Sequence, residues 1–321
     1  MTKLRYHAAL ALILGSSIMS LSSHAQAGWF SSLFKKDTYT ETRYPIVLAH
    51  GLFGFDDIAG YNYWYQIPEE LRRSGAEVYV SQVAAANSNE VRGEQLARQV
   101  ESVMAATGAS KVNLIGHSQG GPTVRYVASV YPHYIASATS IAGPHTGAKA
   151  ADVLLGVQDA SPLTADVLGS IVNSAVGFLD LISGGGYDQS SLDALYALST
   201  RGSAEFNALH PEGLPANYCD EGTELESNGV RYYSWSGATP MTTLLDPSDL
   251  GMVALSLLYQ GEPNDGLVSS CSSHLGKVIR DNYRMNHLDE VNQIIGLVSI
   301  FDTNPKSVFR QHANRLKGKG L

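Results

Sequence analysis

A serine between two glycines has the residue type and setting required for nucleophilic catalysis. Ser118 lies in Gly-His-Ser-Gln-Gly at residues 116–120, a G-x-S-x-G pattern in which a sharp strand-to-helix turn exposes the hydroxyl. A side chain at Gly116 or Gly120 would crowd this turn, whereas glycine has no Cβ. The competing interpretation is a glycine-rich turn with an incidental serine. An apolar run before the pattern and a helical run after it favour the catalytic interpretation.

A serine hydroxyl needs a base within hydrogen-bond reach and a third group that orients the base. The base must come from the six histidines that follow Ser118, which are His133, His145, His210, His274, His287 and His312. The first two come too early in the chain to leave room for an acid from a later strand. His210 and His312 lie in polar sequence, which predicts exposed side chains. Of the remaining two, we favour His287 over His274 because of its neighbourhood, Met-Asn-His-Leu-Asp.

The orienting acid is expected between the serine and the histidine, because the order in such chains is serine, acid, histidine. Asp265 lies in Asn-Asp-Gly, a tight turn that would present its carboxylate at a strand edge. Taken alone, this tripeptide predicts a plain surface turn. Its place shortly before His287 makes Asp265 the first candidate, and Asp246 and Asp249 are its competitors.

Attack on a carbonyl creates negative charge that preorganised N–H donors must stabilise. One donor is the backbone N–H that follows the nucleophile, here that of Gln119. The second comes from the loop after the first central strand, here Leu52 in His-Gly-Leu. Because both donors are backbone groups, the side chains at these positions matter little to the chemistry.

Alternating strands and helices are predicted to position these residues. Apolar runs predict parallel strands at residues 45–49 and 112–115, and further strands are predicted at 77–80 and 136–142. Residues 94–106 carry apolar side chains at helical spacing. Such alternation indicates a parallel sheet covered by helices on both faces. A later strand is predicted at 230–237 and a closing helix at 308–316.

The alternation stops after about residue 147, where a long apolar helix is predicted. Its apolar face runs over residues 161–183, and a glycine triplet closes it. The helix could be part of the core. Its position after a sheet strand favours a movable lid over an apolar cleft. We find no repeats or linkers, so residues 28–321 are predicted to form one domain.

The composition and the first 27 residues indicate the compartment in which the protein acts and the classes of partner that it can bind. The chain has 321 residues, of which 44% are hydrophobic and 16% charged. Residues 1–27 combine Lys3 and Arg5, a short apolar run and a terminal Ala-Gln-Ala, which predicts a cleaved signal peptide and secretion through the periplasm. A retained anchor is the weaker alternative. Cleavage would change the net charge from −8 to −10, which argues against nucleic acid as a partner.

Two cysteines, Cys219 and Cys271, are present in the sequence. In an exported protein a lone pair of cysteines is expected to form a disulfide. The alternative is two buried free thiols. The segment between them contains all three candidate aspartates.

Long sequence matches make this chain resemble the secreted bacterial true lipases of the Pseudomonas and Burkholderia type. The matching segments are residues 44–51, 91–96, 116–122 and 280–293, and the similarity runs from about Tyr39 to the end. The resemblance implies an α/β-hydrolase fold that hydrolyses long-chain triacylglycerols at an oil–water interface. It assigns Ser118, Asp265 and His287 as nucleophile, acid and base. It also assigns Leu52 and Gln119 as oxyanion donors and Cys219–Cys271 as a disulfide.

The same resemblance implies a metal and a partner protein. One structural Ca²⁺ would be held by the carboxylates of Asp246 and Asp289 and the backbone carbonyls of Gln293 and Leu297. Calcium prefers oxygen ligands from loops. Asp289 lies two residues after His287, so the ion would also hold the loop of the catalytic histidine. The family implies a dedicated membrane-anchored foldase, which acts before export.

Three functions remain open on the sequence. The first is a triacylglycerol lipase, and the second is a short-chain esterase or acyltransferase of the same fold. The third is a non-catalytic lipid-binding protein, which would not need the intact serine, aspartate and histidine.

Overall fold

A computed structural model describes residues 37–52, 57–58, 61–156 and 189–321. From Tyr39 onward they belong to a compact unit that spans Tyr39–Leu321. The predicted signal peptide at 1–27 and the predicted lid helix at 161–183 lie outside the described residues. Both therefore stay predictions.

A six-stranded parallel sheet forms the centre of the compact unit. Its strands are β1 (Ile46–Ala49), β4 (Val78–Val80), β5 (Val112–His117), β6 (Ile135–Ile141), β7 (Arg231–Gly237) and β8 (Lys277–Tyr283), in the order β4-β1-β5-β6-β7-β8. All neighbouring pairs in this sheet are parallel. A separate antiparallel pair joins β2 (Asp57–Ile58) and β3 (Tyr61–Asn62). The predicted α/β-hydrolase type of sheet is confirmed.

Helices connect the strands and cover the sheet. They are α1 (Ile67–Arg73), α2 (Asn89–Thr107), α3 (Gly120–Val130), α4 (Lys149–Leu154), α5 (Gln189–Leu198), α6 (Thr200–Leu209), α7 (Asp249–Ser256) and α8 (Pro305–Gly318), with short 3-10 turns at Pro132–Tyr134, Leu257–Tyr259, Cys271–Ser273 and Asp289–Val291. The predicted helix at 94–106 lies within α2, which begins five residues earlier and ends one residue later. Ser88 caps its first turn and Gly108, at φ 71°, ends it. In the part of the chain that the structure describes, none of the helices is both long and apolar enough to span a bilayer.

The hydrophobic core lies on both faces of the sheet because alternate strand residues point to opposite sides. Ile46 and Leu48 of β1 pack with Trp64 and Phe309 on one face. Val47 and Ala49 pack on the other face with residues of α2 and α3, among them Leu96, Val100, Val124 and Val127. Strands buried on both faces tend to be apolar at successive positions, as β1 is over its four residues, and this pattern located β1 in the sequence.

Helix α8 packs against the start of the sheet. Its cap is Asn304, whose side chain accepts a hydrogen bond from the backbone N–H of Lys306. The backbone N–H of Arg43, just before β1, donates to the carbonyl of Leu321 at 2.6 Å. His312 on this helix is buried, with Nε2 2.9 Å from the Thr139 hydroxyl.

The two histidines that were predicted to be exposed are buried. His312 contacts β6 as described, and His210 lies beside the Ser129 hydroxyl, 3.0 Å from its Nδ1. Exposed residues adjoin both in the sequence, Leu209 and Pro211 beside His210 and Gln311 beside His312, so exposure of the neighbours does not predict exposure of the histidines. The prediction of exposed side chains at these two positions was therefore wrong.

Cys219 and Cys271 are joined by a disulfide, as predicted. The bond closes a loop with a sequence separation of 52. This loop contains β7 and the segment with Asp246 and Asp265. The bond therefore restrains part of the region that contributes to the site.

Candidate active site

The nucleophile elbow has the strained backbone that the sequence pattern indicates. Ser118 follows β5 directly and has φ 55°, a left-handed conformation that is uncommon outside glycine. Its backbone N–H donates to the Ile141 carbonyl at 2.9 Å. A Cβ on Gly116 would lie 2.0 Å from the Gly120 carbonyl oxygen, and one on Gly120 would lie 2.1 Å from that of Ala49. Both glycines are therefore required by backbone contacts.

His287 and Asp265 form a buried pair. Nδ1 of His287 lies 2.7 Å from Oδ2 of Asp265, and the backbone N–H of His287 donates to the Asp265 carbonyl at 3.0 Å. The other carboxylate oxygen accepts from the N–H groups of Leu267 and Val268 at 2.8 and 2.7 Å. Because the Asp265 carboxylate accepts a hydrogen bond from Nδ1, the neutral His287 ring carries its hydrogen on Nδ1, and its Nε2 can act as a base. The Asn-Asp-Gly turn is buried, not a surface turn.

Parallel strands bring the serine and this pair to the same edge of the sheet. Ser118 follows the carboxyl end of β5, and His287 lies in the loop after β8. The ring of His117, the neighbour of Ser118, has its centroid 4.6 Å from that of His287. The carboxyl edge of a parallel sheet is where α/β folds place their sites.

The oxyanion loop contacts the elbow at Gly51. A Cβ on Gly51 would lie 2.7 Å from Cβ of Ser118 and 2.8 Å from the Tyr63 hydroxyl. Leu52, the next residue, therefore begins beside the nucleophile. Gln119 is buried at the start of α3, and its side-chain amide donates to the Asn87 carbonyl at 2.7 Å. Both predicted donor residues thus lie next to Ser118.

A buried arginine holds the carbonyl groups of this loop. Arg92 donates through its second terminal nitrogen to the carbonyls of His50 at 2.5 Å and Gly51 at 3.2 Å. Burial lowers the pKa of Arg92 to about 9, so the group stays charged at neutral pH. The carbonyl of Gly51 and the N–H of Leu52 belong to one planar trans peptide and point in opposite directions. Holding that carbonyl therefore sets the direction of the Leu52 N–H.

We expect Gly51→Ala to lower kcat for ester hydrolysis by about 100-fold, because the added methyl must displace either the loop or Ser118. Loss of one oxyanion donor costs about that much or more. The measurement is kcat for a soluble p-nitrophenyl ester. Gly251→Ala, where an added Cβ meets no atom within 4 Å, is the control and should keep full activity. Equal kcat for the two variants would contradict the placement of this loop.

The competing residues have other roles. Nε2 of His274 lies 3.1 Å from the Asp281 carboxylate, and its Nδ1 lies 2.9 Å from the Asp220 carbonyl. Asp249 accepts from the Asn286 side chain at 2.7 Å, so it supports the residue before His287. Neither residue takes the position of the catalytic pair.

Asp246 and Asp289 lie close enough to affect each other. Burial, together with the charges of Asp246 and Asp249, raises the pKa of Asp289 to about 7. Oδ2 of Asp246, Oδ1 of Asp289 and the side-chain oxygen of Gln293 are buried without a hydrogen-bond partner. Unpaired buried oxygens of this kind suit a hard cation. The described contacts of Leu297 do not extend to the two carboxylates, so its carbonyl remains a prediction.

His117, His287 and Glu290 also offer ligand atoms within 4.8 Å of one another. However, Nδ1 of His287 is bonded to Asp265, and Nδ1 of His117 to Tyr63. A metal would have to take Nε2 of His287, the atom that base catalysis needs. We therefore interpret these three side chains as held by separate hydrogen bonds to Asp265, Tyr63 and Gly237, and not as metal ligands.

Comparison with known proteins gives the family. Residues 44–173 match the family model described as alpha/beta hydrolase fold. The chain is 54% identical over 311 residues to a triacylglycerol lipase of Vibrio cholerae, covering 97% of this chain and 99% of that protein. Triacylglycerol lipases of Pseudomonas fragi and Burkholderia plantarii are 42% and 41% identical; each alignment covers 89% of this chain, and 100% and 89% of those proteins. The chain belongs to the bacterial true lipases. This true lipase is thus an ester hydrolase of the Pseudomonas and Burkholderia type.

Solved structures with low identity support the fold of this true lipase. Bacillus licheniformis lipase BlEst2 in its mature form matches with a TM-score of 0.59 at 18% identity, covering 85% of this chain and 91% of that one. Staphylococcus hyicus lipase matches with a TM-score of 0.56 at 19% identity, covering 89% and 98%. Both comparisons bear on the α/β-hydrolase fold alone.

Sequence reasoning missed several residues that hold the site of this true lipase. Arg92 lies within the matched segment 91–96 but was given no role. Tyr63, His117 and Asn286 were likewise passed over, although two of them are neighbours of Ser118 or His287. Position next to a catalytic residue was the available signal for those two, and nothing in the sequence distinguished Tyr63 from the other tyrosines.

Proposed function

We propose that this true lipase is a secreted triacylglycerol lipase that hydrolyses long-chain acylglycerol esters through an acyl-enzyme on Ser118. The observation that carries the proposal is the buried His287–Asp265 pair at the same sheet edge as the strained elbow serine. The names of relatives that are 41–54% identical over most of the chain support the substrate class.

In the proposed reaction, Nε2 of His287 takes the proton of Ser118 as Oγ attacks the ester carbonyl carbon. The oxygen that becomes negative accepts hydrogen bonds from the backbone N–H groups of Leu52 and Gln119. The tetrahedral species collapses, and the protonated His287 gives its proton to the departing glyceride alcohol. Water then attacks the acyl-enzyme by the same steps and releases the fatty acid. Asp265 keeps the Nδ1–H tautomer and stabilises the imidazolium ion.

The experiment compares emulsified trioleoylglycerol with a dissolved short-chain ester. A lipase should gain activity when its substrate forms an interface, because the proposed lid at 161–183 would expose an apolar cleft there. Activity confined to dissolved short esters would favour the esterase alternative. Labelling with a p-nitrophenyl phosphonate and peptide mapping should place the adduct on Ser118. A protein that neither hydrolyses esters nor takes the label would be a non-catalytic binder.

One structural calcium ion is part of the proposal. The carboxylates of Asp246 and Asp289 would hold it, with the carbonyls of Gln293 and Leu297. The unpaired buried oxygens of both aspartates and the raised pKa of Asp289 support the fit. When bound, the ion would supply positive charge that neutralises these carboxylates. The chain's own part is to carry His287 on the loop that ends at Asp289.

We expect chelation of calcium to lower the unfolding temperature by about 5–10 °C and to lower activity in parallel. A ligand present at about 100 times its Kd stabilises the folded state by about 3 kcal/mol. About 2–4 °C accompanies each kcal/mol in domains of about 150–250 residues, and the lower figure applies to this longer chain. Differential scanning fluorimetry and ester hydrolysis with EGTA check this. Adding calcium back should restore both, and Asp246→Asn should no longer respond. A dialysed, chelated protein that keeps both properties would contradict the calcium site.

Secretion and assisted folding complete the proposal. Residues 1–27 would direct export and be removed in the periplasm, where a dedicated membrane-anchored foldase would act on the lipase. The acidic net charge, −8 for the full chain and −10 after removal of residues 1–27, argues against nucleic acid as a partner. N-terminal sequencing of the secreted protein tests the first point. Expression with and without the foldase tests the second, and high yields of active enzyme without it would remove the requirement.

A further inference from the structure

A buried tyrosine and a buried histidine connect the oxyanion loop to the nucleophile elbow. The Tyr63 hydroxyl lies 2.5 Å from Nδ1 of His117, and the backbone N–H of Gly51 donates to the same hydroxyl at 3.1 Å. Both side chains are buried, and neither takes part in the reaction described above. The three residues come from β1's loop, the segment before α1, and the end of β5.

The Tyr63 hydroxyl can accept from the Gly51 N–H and donate to Nδ1 of His117 at the same time. This direction of the second bond fits a buried imidazole that is neutral and accepts at Nδ1. The neutral imidazole then carries its hydrogen on Nε2, which faces Oε2 of Glu290 at 3.3 Å. Oε1 of Glu290 in turn accepts from the Gly237 N–H. Burial keeps His117 neutral by lowering its pKa, and it raises the pKa of Tyr63.

The position of the Leu52 N–H depends on two consecutive peptide groups, those that join His50 to Gly51 and Gly51 to Leu52. Arg92 holds the carbonyls of His50 and Gly51, and Nδ1 of His50 lies 2.9 Å from the Gly51 carbonyl. These contacts leave the Gly51 N–H, on the opposite side of the backbone, to Tyr63. Without that bond the His50–Gly51 peptide could rotate about its carbonyl anchor and carry Leu52 with it.

We propose that Tyr63 and His117 are positioning residues that, together with Arg92, hold the Leu52 N–H in the direction of the developing oxyanion. This inference rests on the proposed function, because it assigns Leu52 as an oxyanion donor. Neither side chain touches the reacting atoms in this role. Tyr63 acts through Gly51, and His117 acts by orienting the Tyr63 hydroxyl. The placement of Gly51 supports it independently, since a Cβ there would meet both Ser118 and Tyr63.

The first test is Tyr63→Phe, which removes only the hydroxyl. We expect kcat for a soluble p-nitrophenyl ester to fall by about 10- to 100-fold with KM changed by less than about twofold, because the lost interaction acts in the transition state. The control is Tyr232→Phe, which removes another buried hydroxyl. That hydroxyl accepts a hydrogen bond from the Asn228 side chain at 3.0 Å, and both residues are far from the oxyanion loop in the sequence. It should leave kcat and KM unchanged. Rates are expressed per site titrated with the phosphonate, so loss of folded protein does not count as loss of kcat.

The second test separates the two nitrogens of His117. In His117→Asn the side-chain amide lies near the position of Nδ1, and its oxygen can still accept from the Tyr63 hydroxyl. In His117→Gln the side-chain amide lies near the position of Nε2 instead, so the acceptor for Tyr63 is lost. We expect the Gln variant to lose at least about fivefold more kcat than the Asn variant. Unfolding temperatures of both variants show whether each one is folded at the assay temperature.

Each outcome decides the inference. A Tyr63→Phe enzyme with kcat within about twofold of the Tyr232→Phe control overturns it. So does a raised KM with unchanged kcat, which would make Tyr63 a substrate contact. Equal losses in the two His117 variants overturn the role of His117. Failure of the proposed function would give a different result, because the Ser118→Ala variant would then hydrolyse the ester as fast as the wild type.

Discussion

Replacing Ser118 by alanine is expected to lower kcat for ester hydrolysis by about five to six orders of magnitude. Removal of the serine of a comparable triad costs about 10⁶-fold, and the remaining catalysis comes from binding and oxyanion stabilisation. The folded state should persist, because alanine keeps the Cβ and the backbone N–H that donates to Ile141. The measurement is the hydrolysis rate per mole of folded protein, with emulsified and dissolved substrates.

The matched control is Ser102→Ala on α2, whose hydroxyl donates to the Arg98 carbonyl at the surface. This variant should keep the wild-type rate and react with the phosphonate at Ser118. If Ser118→Ala kept more than about one per cent of the activity in a preparation free of other esterases, the nucleophile would lie elsewhere. The proposed mechanism would then be wrong.

Removing the disulfide is expected to cost about 4 kcal/mol of unfolding free energy. The chain-entropy model gives this value for a loop of 52 residues. With about 2–4 °C per kcal/mol, the unfolding temperature of the Cys219→Ser, Cys271→Ser variant should fall by about 10 °C. Thermal unfolding followed by circular dichroism is the measurement.

Reduction of the wild-type protein with dithiothreitol provides the control. It should lower the unfolding temperature of the wild type by the same amount and leave that of the double variant unchanged. Asp246 and Asp265 lie within the closed loop. We therefore also expect calcium chelation to change the unfolding temperature and the activity of the double variant by a different amount than those of the wild type. An unchanged unfolding temperature would mean that the bond adds no restraint to the unfolded chain.

The sheet and the elbow could be predicted because their signals are local. β1, β5 and β6 are buried on both faces, and β1 is apolar throughout. The glycines of the elbow are dictated by backbone contacts at their own positions. The helix α2 carries its cap and its terminating glycine within its own sequence. For such elements, a short stretch of sequence contains most of the physical cause of the structure.

The parts that sequence reasoning did not predict depend on distant residues. His312 is buried because α8 packs on β6, 173 positions away in the chain from Thr139. The Asn-Asp-Gly turn is buried because the loop of His287 covers it, although its composition is that of a surface turn. The Tyr63–His117 contact joins segments 54 positions apart. No local pattern encodes such contacts, so they appear only in the folded chain.

The contact between residues 305–321 and the beginning of β1 has a consequence for the order of events during synthesis. The Arg43 N–H finds its acceptor only at Leu321, and Phe309 covers the face of β1 that also holds Trp64. These partners are synthesised after all six strands of the sheet, so β1 has incomplete surroundings until α8 has been made. Folding of this unit therefore cannot finish before α8 is available, and a chain shortened to end before α8 would expose an apolar surface to proteases and chaperones.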